Sequence, residues 1–75
     1  MDAIEQQIVQ ALQDELGRCV TPADSFGRLG VDSLRMAELA SELEHRFGIR
    51  VDAELLDVDT VAELADYVRR RMPDA

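Results

Sequence analysis

Residues 29–49 read LGVDSLRMAELASELEHRFGI, and the period of their apolar side chains decides the fold. Met36, Leu39, Ala40, Leu43 and Phe47 recur at the spacing that lays one apolar stripe along an α-helix. Asp32 suits the N-cap, where its carboxylate can accept amide protons that the first turn leaves unpaired. Gly48 supplies a left-handed stop, and Ile49 falls where a Schellman motif places its apolar contact. Glu42 and Arg46 stand four apart in the favourable order for an ion pair. At about 100° per residue, the opposite side holds Leu34, Ala37, Glu38, Ser41 and His45. Leu34 is therefore expected to face solvent beside Ser33.

Working outward, Ile4, Ile8, Leu12 and Leu16, with Val9 and Ala11 beside them, predict a first helix from Asp2 to Leu16. Gly17 ends it. Residues 18–32 show no sustained period and contain Pro22, Gly27 and Gly30. They read as a long loop, a kind of segment that is uncommon unless it packs down or carries function. Val20, Phe26 and Leu29 are its expected anchors. On the other side, a short helix is expected over 53–57, capped by Asp52, with Leu55 and Leu56 turned inward. Thr60-Val61-Ala62-Glu63 is a capping-box pattern that opens a final helix, with Val61, Leu64, Ala65, Val68 and Met72 as its stripe. Arg69, Arg70 and Arg71 sit where positive charge complements the helix dipole. Pro73 and the two residues after it are expected to fray. The reading is all-α: a small bundle of three main helices and a short third one, with a long loop between helices one and two.

Composition narrows the function. Seventy-five residues make one domain, 1–75. Sixteen acidic residues against eight basic ones give a net charge of −8. That balance repels phosphate backbones, so no nucleic-acid partner is expected, and it favours partners that present basic surfaces. No stretch is apolar enough to span a membrane, and no basic-then-apolar leader opens the chain. Cys19 is the one cysteine. A lone thiol fits a reducing, cytoplasmic setting, and Cys19 reads as a small hydrophobe in a loop. Met1 directly before a helix reads as the start of a free-standing product, the alternative being a domain cut from a larger synthase.

Chemistry concentrates at Leu29-Gly30-Val31-Asp32-Ser33-Leu34. Gly30 lets the chain turn sharply, Asp32 caps the helix, and Ser33 then lies on its first turn. Unpaired amides and the positive dipole end make that position hospitable to an anion such as a phosphodiester on the serine oxygen. Asp-Ser by itself is an ordinary helix start, so the wider pattern has to carry the reading. Catalysis by the chain itself fits poorly, because a serine nucleophile needs an adjacent base. His45, the one histidine, lies twelve residues further along the same helix, about 18 Å away at the α-helical rise. It has no His or Cys partner spaced for zinc either.

The wider pattern comprises Asp24-Ser25-Phe26, then Leu29 to Leu34, Glu38-Leu39, Phe47-Gly48-Ile49, Thr60-Val61 and Tyr67-Val68. It resembles the acyl and peptidyl carrier proteins of fatty acid, polyketide and nonribosomal peptide synthesis, over nearly the whole chain. The resemblance implies a four-helix bundle with a short third helix. It also implies that Ser33 receives 4'-phosphopantetheine from coenzyme A through a phosphopantetheinyl transferase, with Asp32 as cap and recognition residue beside it. The thiol of that arm would hold an acyl, aryl or aminoacyl group as a thioester, for a loading enzyme and downstream synthase enzymes to use. Leu34, Ala37, Glu38, Ser41 and Glu44 become the candidate partner-binding residues of a monomeric carrier. Between residues 32 and 46 there are four acids and two arginines, a mild −2. That departs from the most acidic fatty-acid carriers, and Arg35-Met36 resembles some aryl and aminoacyl carriers. Both features point to a discrete carrier of a specialised pathway. The rival from another class is an unmodified helical adaptor.

Overall fold

Thr60 and Glu63 cap each other at the start of the last helix. Thr60 Oγ1 accepts the Glu63 amide at 3.2 Å, and Glu63 Oε1 accepts the Thr60 and Asp59 amides, both at 3.1 Å. This capping box pairs donors that any helix start leaves open. The computed structural model describes residues 3–72, within which the elements are α1 (Ala3–Leu16), α2 (Phe26–Leu29), α3 (Ser33–Phe47), a 3-10 helix (Ala53–Asp57) and α4 (Val61–Arg71). Asp2, expected to begin the first helix, and Pro73, expected to fray, lie outside the described residues.

The predicted stripes become one core. Ile8, Val9 and Leu12 of α1, Met36, Leu39 and Leu43 of α3, and Val61, Leu64, Ala65 and Val68 of α4 are all buried. Ile4, Leu16, Ala40, Phe47 and Met72 pack against its edge. Tyr67 joins the core although the α4 stripe omitted it. Its side chain places a ring in the interior and a hydroxyl at the margin, the usual use of a buried tyrosine. No buried polar side-chain atom among the described residues lacks a partner.

Three local expectations need correction. The loop between the first two long helices contains a helical turn, α2. Ser25 Oγ accepts the Arg28 amide at 3.2 Å, and Gly30 ends the turn at φ +76°. Four residues are too few to show a period, so this turn left no helical signal in the sequence. Second, the two-bond Schellman pattern lies at Gly30, where Val31 N–H donates to Phe26 O (3.0 Å) and Gly30 N–H to Gly27 O (3.3 Å). Gly48 closes α3 with a single left-handed-cap bond to Glu44 O at 3.0 Å. Third, Leu55 is 3% exposed but Leu56 is 73% exposed, not inward. Three residues per turn in a 3-10 helix set neighbours about 120° apart, so only one of the two can enter the core. Cys19 lies in the loop between the first two long helices and is exposed.

Two sets of contacts fasten the irregular segments to α4. At its start, Phe26 N–H donates to Asp59 O (2.8 Å), Val61 N–H to Asp24 O (3.1 Å) and Ala62 N–H to Pro22 O (2.9 Å). Near its end, the Tyr67 hydroxyl donates to Asp52 Oδ1 (2.9 Å) and accepts from Asp52 N–H (3.0 Å). Arg71 and the Tyr67 hydroxyl hold the Asp52 carboxyl below its ordinary 3.8, against a smaller opposing effect of burial. A depressed carboxyl stabilises the fold above its unfolded pKa, and that contribution disappears as pH falls through the lowered folded value. At neutral pH the contact is intact. The Asp52 side-chain carbon resonance should therefore titrate with a midpoint below 3.8 in the native protein. Arg71→Met should move that midpoint upward, and NMR across the acid range would measure both.

Candidate functional site

The Schellman turn at Gly30 hands the chain to Asp32, whose extended backbone begins α3. Asp32 Oδ1 accepts the Arg35 amide at 2.9 Å, and its carbonyl accepts the Met36 amide, also at 2.9 Å. Ser33 is thereby the first residue of α3 and is exposed. Within the described residues no protein group bonds its hydroxyl. Of the first-turn amides, that of Arg35 is taken by Asp32, while those of Ser33 and Leu34 bond no protein group among the described residues and remain open to an anion. Arg35, two residues on, is turned towards α1, where Nη1 meets the Glu15 carbonyl at 3.3 Å and its carboxylate at 3.5 Å.

The solvent side of α3 matches its sequence reading. Leu34 is 69% exposed, and Ala37, Glu38, Ser41 and His45 are exposed along the same side. Glu44 is exposed but engaged, since its Oε2 accepts the Val51 amide at 2.9 Å. It holds the segment after α3, a role that periodicity could not reveal. Asp32, Ser33, Leu34 and Glu38 thus stay together near the head of α3, while Glu44 belongs to its far flank.

A feature absent from the sequence reading adjoins Ser33. An open groove of about 210 Å³ runs between α3 and the 3-10 helix, lined by Ser33, Met36, Ala40, Val51, Leu55 and Leu56 among others. Its walls are almost wholly apolar apart from Ser33 and Asp52. The outward turn of Leu56 creates its rim, so the misplaced leucine and the missed groove have one cause. The short Asp52-capped run between Ile49 and Thr60 was the available signal, had three-residue geometry been applied to it.

Residues 6–68 match the family described as a phosphopantetheine attachment site. The acyl carrier protein of Rickettsia bellii is 32% identical over 74 residues, covering 92% of this chain and 86% of that one. The chain belongs to the acyl carrier protein family. The acyl carrier protein of Lactococcus lactis subsp. cremoris is similar at 36% identity over 69 residues, 88% of this chain and 93% of that one. A crystal structure of the Thermotoga maritima acyl carrier protein superposes with a TM-score of 0.75 at 22% identity, covering 92% and 91% of the two chains, and shows the shared fold. Membership implies a carrier rather than a catalyst, and a covalently attached phosphopantetheine group. It also implies dealings with a phosphopantetheinyl transferase and acyl-handling enzymes. No helix of the described residues is long and apolar enough to cross a membrane.

The carrier's geometry separates residues that aim the site from residues that face outward. A side chain at Gly30 would meet no atom within 4 Å, so its left-handed backbone alone demands glycine. Gly30→Ala should cost about 1–2 kcal/mol in urea unfolding, and Gly30→Asn less. Leu34→Ala, by contrast, should shift stability by no more than about 0.5 kcal/mol in the same assay.

Proposed function

We propose that Ser33 carries the phosphopantetheine group and that the protein is a discrete acyl, aryl or aminoacyl carrier of a specialised biosynthetic pathway. One observation carries the site: an exposed, unbonded serine hydroxyl at the first residue of a long helix whose cap is already supplied by Asp32. Because Asp32 occupies the capping role, the Ser33 oxygen is free to be substituted without undoing the helix start. A phosphodiester there meets first-turn amides and the positive end of a fifteen-residue helix. The other candidate serines fit less well. Ser25 Oγ is committed to the Arg28 amide, and Ser41 lies within α3, away from either end.

The bound group supplies a flexible arm whose terminal thiol holds cargo as a thioester. The chain's own residues do the rest. Asp32 fixes the helix start, Leu34 and Glu38 present an apolar and an acidic contact beside Ser33, and Ala37 and Ser41 continue that surface. The groove from Ser33 to Leu56 offers a tethered apolar group partial shelter from water. The specialised-pathway reading is supported by the mild charge of residues 32–46 and by Arg35, whose bonds to Glu15 tie positive charge to the head of the recognition helix. A docking site selective for a strongly acidic helix has less to hold here.

Incubation of the full chain with coenzyme A, magnesium and a phosphopantetheinyl transferase of broad specificity should raise its intact mass by one phosphopantetheine. Ser33→Ala should lose the gain entirely while keeping a helical spectrum. Modification mapped to Ser25 or Ser41 would refute the site. Failure with several transferases would instead favour the unmodified adaptor. Competition among loading enzymes for acyl, aryl and aminoacyl cargo would then distinguish the pathway classes.

A further inference from the structure

Three consecutive arginines end α4, and they make different contacts. Arg69 pairs with Asp66, and Arg70 Nε donates to the Asp66 carbonyl at 3.3 Å. Arg71 reaches across to the 3-10 helix. Its Nη2 lies 3.2 and 3.1 Å from the two Asp52 oxygens and 3.0 Å from Glu54 Oε2. The guanidinium carbon stands 3.7 Å above the centre of the Tyr67 ring, a cation–π contact one helical turn back. Asp52 is the hub of this arrangement. Its carboxylate caps the Glu54 amide at 3.1 Å and takes the Tyr67 hydroxyl, while its backbone amide donates to that same hydroxyl.

The 3-10 helix has little else to hold it. Its own backbone bonds include Leu55 N–H to Asp52 O (3.1 Å) and Val58 N–H to Leu55 O (3.2 Å), and Leu55 is its one buried residue. Yet this element, with Asp52 itself, forms the wall of the groove that opens at Ser33. We propose that Arg71 is a positioning residue for the attachment site: through Asp52, Glu54 and Tyr67 it fixes where the 3-10 helix stands, and so sets the groove beside Ser33. The consequence for cargo rests on Ser33 being the attachment point, whereas the positioning of the wall does not. The planar guanidinium is suited to the task, because it can serve two carboxylates in its plane and a ring at its face together.

Exposed ion pairs add little to global stability, but they can dominate the opening of a segment with so few other contacts. The test is amide hydrogen exchange on the full, unmodified chain, comparing wild type with Arg71→Met, which keeps an unbranched stem and loses the guanidinium. The Leu55 and Val58 amides should exchange about five- to tenfold faster, while Leu43 and Leu64 exchange at wild-type rates. Methyl resonances of Val51 and Leu56 should move and those of Leu12 and Val61 should not. Asp52→Asn retains a cap and a hydroxyl acceptor but removes the charge, so it should reproduce the pattern even where Arg71→Met folds poorly. Arg71→Lys should fall between. Equal acceleration throughout the chain would show an ordinary stabilising contact, and unchanged exchange at Leu55 and Val58 would show no positioning; either overturns the proposal. Repeating the methyl comparison after phosphopantetheine transfer should show Leu56 and Val51 responding to the attached arm in wild type and less so in Arg71→Met. Modification at another serine would remove that last response while leaving the exchange result standing.

Discussion

Burial of α4 is the constraint on which the other elements depend. Val61, Leu64, Ala65, Tyr67 and Val68 give up essentially all their exposure within eleven residues, and α1 packs against them. In a small domain with no disulfide, this concentration of apolar surface is the principal driving force for closure. Each irregular segment then borrows order from α4. The loop before α3 bonds to its first turn, and the 3-10 helix bonds to its last. The region around Ser33 is therefore built on segments that are locally weak but anchored at both ends of one strongly buried rod.

That division explains what could be read from the residues. The long helices were legible because their stripes, caps and stops are local: Asp32, Gly48, and Thr60 with Glu63 each act within a few residues of themselves. Ser33 was legible for the same reason, since one capping residue and one turn place it. The exposed side of α3 followed from its period, with Leu34 outward and Leu43 inward. Partners nineteen residues apart, such as Asp52 and Arg71, left no local trace, and neither did the bond from Val51 to Glu44. Short elements were the other blind spot. A four-residue turn has no period to detect, and reading 53–57 without the three-residue repeat put Leu56 on the wrong side.

The site shows how few demands a carrier places on its own chain. Among the described residues no base bonds Ser33, and His45 stands far along the helix and is exposed. What the fold contributes is orientation: a glycine-dependent turn, a carboxylate cap and a helix end facing outward. The acidic balance of the whole chain then adds long-range attraction for basic partners, which is sensitive to salt and acts more on encounter rate than on the final contact.

The pairing of α1 with α4 also bears on how the molecule comes into being. Residues near 8 and 12 must wait for residues 61–68 before their apolar faces are covered. Synthesis is vectorial, so α1, the loop and α3 all leave the ribosome before their principal packing surface exists. The domain has no core to close until α4 clears the exit tunnel, and closing it then requires a loop spanning most of the domain. The entropic cost of that loop grows only slowly with its length. Folding of this domain is thus expected to be a single event that waits for α4, rather than a stepwise accretion of helices.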